Sequence, residues 1–102
     1  MYYFYMLRCR DDSLYAGITT DIGRRLREHN SHTGKAAKYT RAKQPVTLVY
    51  VEQLSNLSHA LKREAEVKRW PKQKKEAIIR SWNSNNFNNG QLRSDKNIER
   101  PK

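Results

Sequence analysis

The sequence predicts an α+β fold: a three-stranded antiparallel sheet flanked by helices, in the order β-β-α-β-α-α. Three observations predict it. Residues 2–8 and 14–18 are short aromatic and apolar runs on either side of a polar turn, Arg10-Asp11-Asp12-Ser13, which is the pattern of a hairpin. Val46-Thr47-Leu48-Val49-Tyr50-Val51 is the densest β-branched run in the chain and reads as a third strand. Stretches with helical spacing separate and follow these strands, so helices must cover the sheet.

The elements follow in order. Tyr2-Tyr3-Phe4-Tyr5-Met6-Leu7-Arg8 forms the first strand and Leu14-Tyr15-Ala16-Gly17-Ile18 the second. Side chains alternate along a strand, so Tyr3 and Tyr5 share a face and Tyr15 can lie across from them. Thr20-Asp21 supplies a helix start, with Asp21 favoured at the positive end. The helix it opens spans about 21–31, with Ile22 and Leu26 on one side. Residues 34–43 read as a basic loop of small residues. After the third strand, Ser55 or Ser58 can cap a helix over about 57–69. Pro71 suits the first turn of a last helix, about 72–82. The composition then changes: Asn83-Ser-Asn-Asn-Phe-Asn-Asn-Gly has almost nothing to bury. We therefore expect one ordered domain over 1–82 and a polar, mostly disordered tail over 83–102.

Charge bounds the partner. The 102 residues carry 21 Lys and Arg against 10 Asp and Glu, a formal charge of +11. Residues 1–82 alone carry 17 basic and 8 acidic side chains, so the excess belongs to the folded part. A field of this sign gathers polyanions, and nucleic acid is the expected partner. No stretch reaches the ~20 apolar residues of a membrane span, and the N-terminal apolar run lacks the basic segment that opens a secretion signal. A single cysteine, Cys9, allows neither an internal disulfide nor a cysteine metal cage. The expected location is cytoplasmic, with no membrane partner.

Three groups of residues stand out. Glu64 falls within the apolar stripe of its helix (Leu57, Ala60, Leu61, Val67), where a carboxylate is costly unless paired or metal-bound. A salt bridge to Lys68 is the plain alternative. Arg25 and His29 are four apart on one helix face. They are either part of a solvated basic face, with Arg24 and Arg27, or a phosphate-binding pair. The tyrosines on the two hairpin strands are either a stabilising cross-strand cluster or part of a site.

Taken together and in order, Tyr3-Phe4-Tyr5, Tyr15-Ala16-Gly17, Arg25, His29 and a later helical Glu64 resemble the GIY-YIG nuclease superfamily. The resemblance is strongest to its small stand-alone bacterial members and covers about residues 1–82. Its most specific part is Leu14-Tyr-Ala-Gly-Ile-Thr-Thr-Asp-Ile-Gly-Arg-Arg-Leu-Arg-Glu-His29, with Ala37-Lys-Tyr-Thr-Arg41 and Glu64-Ala-Glu-Val-Lys68 in support. The chain keeps the tyrosine of each name-giving tripeptide and departs at the neighbours. It has Ile18 where repair nucleases of the family often carry Lys.

The resemblance implies a divalent-metal-dependent endonuclease that hydrolyses DNA phosphodiester bonds, in repair or in processing structured DNA; RNA is also compatible. Glu64 would hold Mg²⁺ (or Mn²⁺), a hard ion that takes few protein carboxylates. Arg25 would stabilise charge on the phosphate. Tyr5, Tyr15 or His29 would take the proton of the attacking water. Gly17 would end the second strand and leave room for the phosphate. Tyr3, Gly17, Lys35, Lys38, Tyr39, Arg41 and Lys43 would contact the nucleic acid. A binding module with little activity alone, or a subunit that needs a protein partner docked on helix 72–82, is the alternative.

Overall fold

A computed structural model describes residues 1–31 and 35–89. The elements are β1 (Tyr2–Arg8), β2 (Leu14–Thr19), α1 (Ile22–His29), α2 (Lys38–Arg41), β3 (Thr47–Leu54), α3 (Leu57–Lys68) and α4 (Lys72–Asn89). The three expected strands form one antiparallel sheet in the order β2-β1-β3. The central strand is the first in sequence and the most apolar, and Phe4, Met6 and Leu7 on it are fully buried. A register shift between Met6 and Leu7 lets β3 follow β1 across its whole length.

The register sorts the side chains. Tyr5 lies between Gly17 and Val51, and Leu7 between Tyr15 and Leu48, so these residues share a face. On that face Tyr5, Leu7, Cys9 and Val46 form a buried cluster, and Ile22 and Leu26 of α1 pack against it. Cys9 thus serves as a small core residue. The hairpin turn is closed by Cys9 N–H to the Ser13 carbonyl (2.8 Å) and Asp12 N–H to the Cys9 carbonyl (2.9 Å). Asp12 holds φ 72° there, a conformation that Asp tolerates better than most residues.

Asp21 caps α1 as expected, its carboxylate accepting from Arg24 N–H at 3.0 Å. The expected loop 34–43 instead contains a helical turn, α2, so the order becomes β-β-α-α-β-α-α. A cis Gln44–Pro45 bond follows α2. Asn30, just past α1, binds both backbone polar groups of Val46 (3.0 and 2.7 Å), and Gln44 donates to the His29 and Ser31 carbonyls (2.7 and 2.6 Å). These four bonds lash the end of α1 to the approach of β3.

Two expectations for α3 are corrected. Its cap is Asn56, accepting from His59 N–H at 2.9 Å, rather than Ser55 or Ser58. Its buried row is Ala60 and Val67, both fully buried, whereas Leu57 and Leu61 are 44% and 49% exposed. Arg63 ties α3 to β3 through Glu52 (2.9 Å) and lies over the Trp70 ring. The chain divides into two compact units, the first being Met1–Trp70 and the second beginning at Pro71. In the second, α4 runs to Asn89, seven residues past the expected end at 82. The rest of the expected tail, 90–102, lies outside the described residues. No described helix is long and apolar enough to cross a membrane.

Candidate functional site

β1 and α1 create the centre of the site. Burial on the central strand fixes Tyr5 at 3% exposure, and the last residue of α1, His29, is fully buried against it. A buried imidazole needs partners on both nitrogens, and His29 has them. Tyr5 Oη lies 2.8 Å from Nε2, and Thr40 Oγ1 lies 2.8 Å from Nδ1. The Thr40 hydroxyl donates to the Ala37 carbonyl at 3.1 Å, so its oxygen is left to accept from Nδ1–H. Nε2 is then the acceptor and the Tyr5 hydroxyl its donor. One directed chain results: Tyr5 O–H to His29, His29 N–H to Thr40, Thr40 O–H to the backbone.

The electrostatics agree with that direction. Burial, with Arg25 nearby, pushes the His29 pKa down to about 4, so the ring is neutral near pH 7. Burial, with Tyr15 nearby, pushes Tyr5 up to about 12, so its hydroxyl keeps its proton. Arg25 and Glu64 also act on the Tyr5 phenol, Arg25 lowering its pKa and Glu64 raising it. This brings all five expected catalytic residues into one electrostatic neighbourhood.

Tyr15 packs on the same group, with ring centroids 5.0 Å from His29 and 6.5 Å from Tyr5. The plain reading, a cross-strand aromatic cluster, is therefore also true of the geometry. Arg25 donates to Glu28 (2.8 Å) and to the Lys35 carbonyl (2.9 Å), so it is held in place and not a free surface cation. Its partner Glu28 is drawn below the usual carboxylate range by that contact. Glu64 is paired with Lys68 at 3.2 Å, its side chain 21% exposed.

Gly17 departs from expectation. It lies inside β2, which continues to Thr19, and its φ is not positive. A Cβ built on it would sit 2.7 Å from Tyr5 Oη, 3.0 Å from Tyr5 Cζ and 3.3 Å from a Tyr15 ring carbon. The space that glycine vacates is filled by the tyrosine hydroxyl that bonds His29.

The expected nucleic-acid contacts are dispersed. Tyr39 is 42% exposed, stacks near Tyr15 (5.9 Å) and carries the Lys43 ammonium 3.9 Å above its ring. Lys43 also bridges Asp11 at 3.2 Å. Lys35, Lys38 and Arg41 are exposed along the same segment. Tyr3 lies on the site face, opposite Thr19 and Gln53, without a ring contact to Tyr5 or Tyr15 among the described residues. Sequence reasoning missed Thr40 and Glu28. A hydroxyl in the Ala37-Lys-Tyr-Thr-Arg41 block and an acid three residues after Arg25 were the available signals.

No group of three or more His, Cys, Asp or Glu is placed to hold a metal ion among the described residues. Among the five expected catalytic residues the acidic oxygen donor is Glu64, whose cation in this structure is the Lys68 ammonium, on a side chain 52% exposed. A single carboxylate suits an ion that keeps most of its waters, and an exposed lysine can leave, so the residues fit Mg²⁺ or Mn²⁺ with one protein anchor.

Comparison with known proteins agrees with this arrangement. Residues 1–77 match the model of the GIY-YIG catalytic domain. A UPF0213 protein of Haloquadratum walsbyi is 48% identical over 77 residues, covering 76% of this chain and 84% of the relative. One of Bacillus pumilus is 49% identical over 78 residues, covering 76% and 78%. The solution NMR structure of a UPF0213 protein from Bacillus halodurans superposes with a TM-score of 0.55 at 36% identity, covering 93% of this chain and all of that one. A match spanning the sheet and every residue of the site, in relatives of this identity, makes the chain a member of the GIY-YIG nuclease superfamily and, within it, of the small UPF0213 proteins.

Proposed function

We propose that this protein is an endonuclease that hydrolyses DNA phosphodiester bonds with the Tyr5–His29–Thr40 chain as its proton acceptor. The observation that carries the proposal is the direction of that chain. The Tyr5 proton is already pledged to His29 Nε2 at 2.8 Å, and its oxygen, which accepts from Arg25, keeps a second lone pair for a water. A water donating to Tyr5 Oη would lose its proton as Tyr5 passes its own to Nε2. The His29 Nδ1–H would stay on Thr40, which holds the ring in the receiving tautomer. Neither Tyr5 nor His29 need be a strong base at rest. The incoming phosphate is anionic, and its charge favours a proton on His29, against the depression that burial and Arg25 impose.

Arg25, fixed by Glu28 and the Lys35 carbonyl, would present its remaining N–H donors to the phosphate oxygens, a preorganised role. Glu64 would hold the divalent ion once Lys68 swings away. Bound there, the ion supplies Lewis-acid stabilisation of the phosphate and the leaving oxygen. Lys35, Lys38, Tyr39, Arg41 and Lys43 would line the approach of the strand, giving affinity without sequence preference.

The test is cleavage of linear, nicked, forked and single-stranded DNA by purified protein with Mg²⁺ or Mn²⁺. Activity should vanish in Glu64→Ala and fall about 10²–10³-fold in Arg25→Ala. Binding of these substrates with no cleavage of any would leave a binding module, and cleavage that survives Glu64→Ala would remove Glu64 from the metal.

A further inference from the structure

A second basic feature lies beside the proton chain. A cavity of 480 Å³ is lined by Arg10, Asn30, Arg41, Ala42, Gln44 and Pro45. Its walls follow directly from the site: Asn30 is the residue after His29, and Arg41 the residue after Thr40. Gln44, a third wall residue, bonds the His29 carbonyl. The cavity is thus built on the same helix end and the same short helix that set the imidazole.

Its chemistry selects an anion. Two of the six lining residues are arginines and none is acidic. Each guanidinium gives one hydrogen bond to a backbone carbonyl, Arg10 to Ala42 at 3.5 Å and Arg41 to Ala36 at 3.4 Å. Both distances lie at the outer limit of hydrogen bonding. Neither arginine has a carboxylate partner among the described residues, although Lys43 and Arg8 beside them are paired with Asp11 and Asp12. Among the described residues each of these guanidinium groups has that one carbonyl as its acceptor, and a forked, permanently charged donor set suits phosphate oxygens.

The carboxamides in the wall are committed elsewhere. Asn30 uses both its atoms on Val46, and Gln44 turns both amide hydrogens inward. They supply a rigid floor in which the donor left over is the second Asn30 amide hydrogen. The volume falls within the ~300–1,000 Å³ of pockets that take small organic groups, so a phosphate can enter with its sugar.

We infer that Arg10 and Arg41 hold a second phosphate of the bound nucleic acid, other than the one to be cut, with its sugar in the cavity between them. The inference rests on the nuclease reading. It assigns Arg10, which the family resemblance did not single out, and gives Arg41 a partner.

The test is fluorescence anisotropy of a labelled short single-stranded oligonucleotide in EDTA, so that binding is read without cleavage. Salt is varied over about 50–200 mM. Arg10→Gln/Arg41→Gln should weaken binding about tenfold. It should also flatten the slope of log K against log salt by roughly 0.7, the release expected from one phosphate on a single strand. Lys62→Gln/Arg69→Gln, the same charge loss on α3 and its C-cap, should change both far less. Arg10→Lys/Arg41→Lys should keep the slope and lose part of the affinity, since charge stays while the fork goes.

Titration of the ¹⁵N-labelled protein with inorganic phosphate should shift the amides of Ala42 and Gln44. Oligonucleotide binding by wild type that is equally tight in the double Gln variant would overturn this inference and leave the nuclease reading standing. Phosphate shifts together with that result would mean a small-anion pocket only, again overturning it. A wild type that binds no oligonucleotide would overturn both.

Discussion

Replacing Gly17 by alanine should disturb the proposed site without removing any of its polar groups. The added Cβ would meet Tyr5 Oη at 2.7 Å, closer than real Cβ contacts come, and Tyr5 Cζ at 3.0 Å. Tyr5 cannot swing aside freely, because it is 3% exposed and its hydroxyl is bonded to His29 at 2.8 Å. Overpacking of this kind costs about 1–3 kcal/mol, and we place Gly17→Ala at about 2. Tyr5→Phe alone leaves His29 Nε2 buried without a donor, at about 1–3 kcal/mol. In the double variant the atom 2.7 Å away is gone and the hydrogen bond is already lost, so part of both costs is counted once. The two changes should therefore couple, the double variant being at least 1 kcal/mol more stable than the sum predicts. Urea denaturation of the four proteins at pH 7 measures this directly. Additivity within about 0.3 kcal/mol would refute the claim that Gly17 exists to seat the Tyr5 hydroxyl. In the cleavage assay Gly17→Ala should lose about 10²-fold, the effect of a misplaced reacting group.

Two further predictions concern the buried imidazole. The His29 pKa is about 4 in the folded protein against 6.5 when exposed, so the unfolded state binds the extra proton. Stability is then full above pH 6.5, falls as pH drops towards 4, and is about 3 kcal/mol lower below that. Of this about 2 kcal/mol should go between pH 7 and 5, before most carboxylates titrate, and urea melts of His29→Gln should lack that component; an unchanged pH profile would show the ring is not held neutral. Thr40→Val keeps shape and removes the acceptor for Nδ1–H, at about 1–3 kcal/mol. In that variant ring ¹⁵N shifts should report a mixture of tautomers, whereas a persistently Nδ1-protonated ring would mean that Thr40 does not set the direction.

What the sequence made legible follows physical rules about locality. The strands were readable because β1 and β3 are dense in aromatic and β-branched residues, and α1 because Asp21 announces it. α2 was read as a loop because four residues are too few to show a period. The apolar stripe of α3 was visible, but periodicity shows that a stripe exists and not which row the sheet covers. Ala60 and Val67 went inward while Leu57 and Leu61 stayed half outside. α4 passed its expected end because Asn and Ser lower helix propensity without forbidding a helix. At the site, residue types picked out Tyr5, Arg25, His29 and Glu64. Only the tertiary structure could show that Thr40 lies within hydrogen-bond distance of the imidazole, or that the Tyr5 hydroxyl sits where a Cβ on Gly17 would be.

Each charged member of the proposed site is already balanced. Arg25 faces Glu28, Glu64 faces Lys68, and Tyr5 and His29 are both uncharged near neutrality. The reacting centre is thus locally neutral inside a protein of formal charge +11. These two facts divide the labour. The overall field brings a polyanion to the surface, but it does not tell one phosphate from the next. Selection has to come where a phosphate is worth more than the partner it displaces. The Lys68 side of the Glu64–Lys68 pair is half exposed, and pairs that reach solvent are worth little, about 0–1 kcal/mol, so a divalent ion would replace the lysine at small cost. The Tyr5–His29 bond is buried, and in the proposed mechanism a proton would move along it when negative charge arrives beside it. A weak outer pair and a strong inner chain together would keep the resting protein inert and let a bound phosphate set the chemistry going.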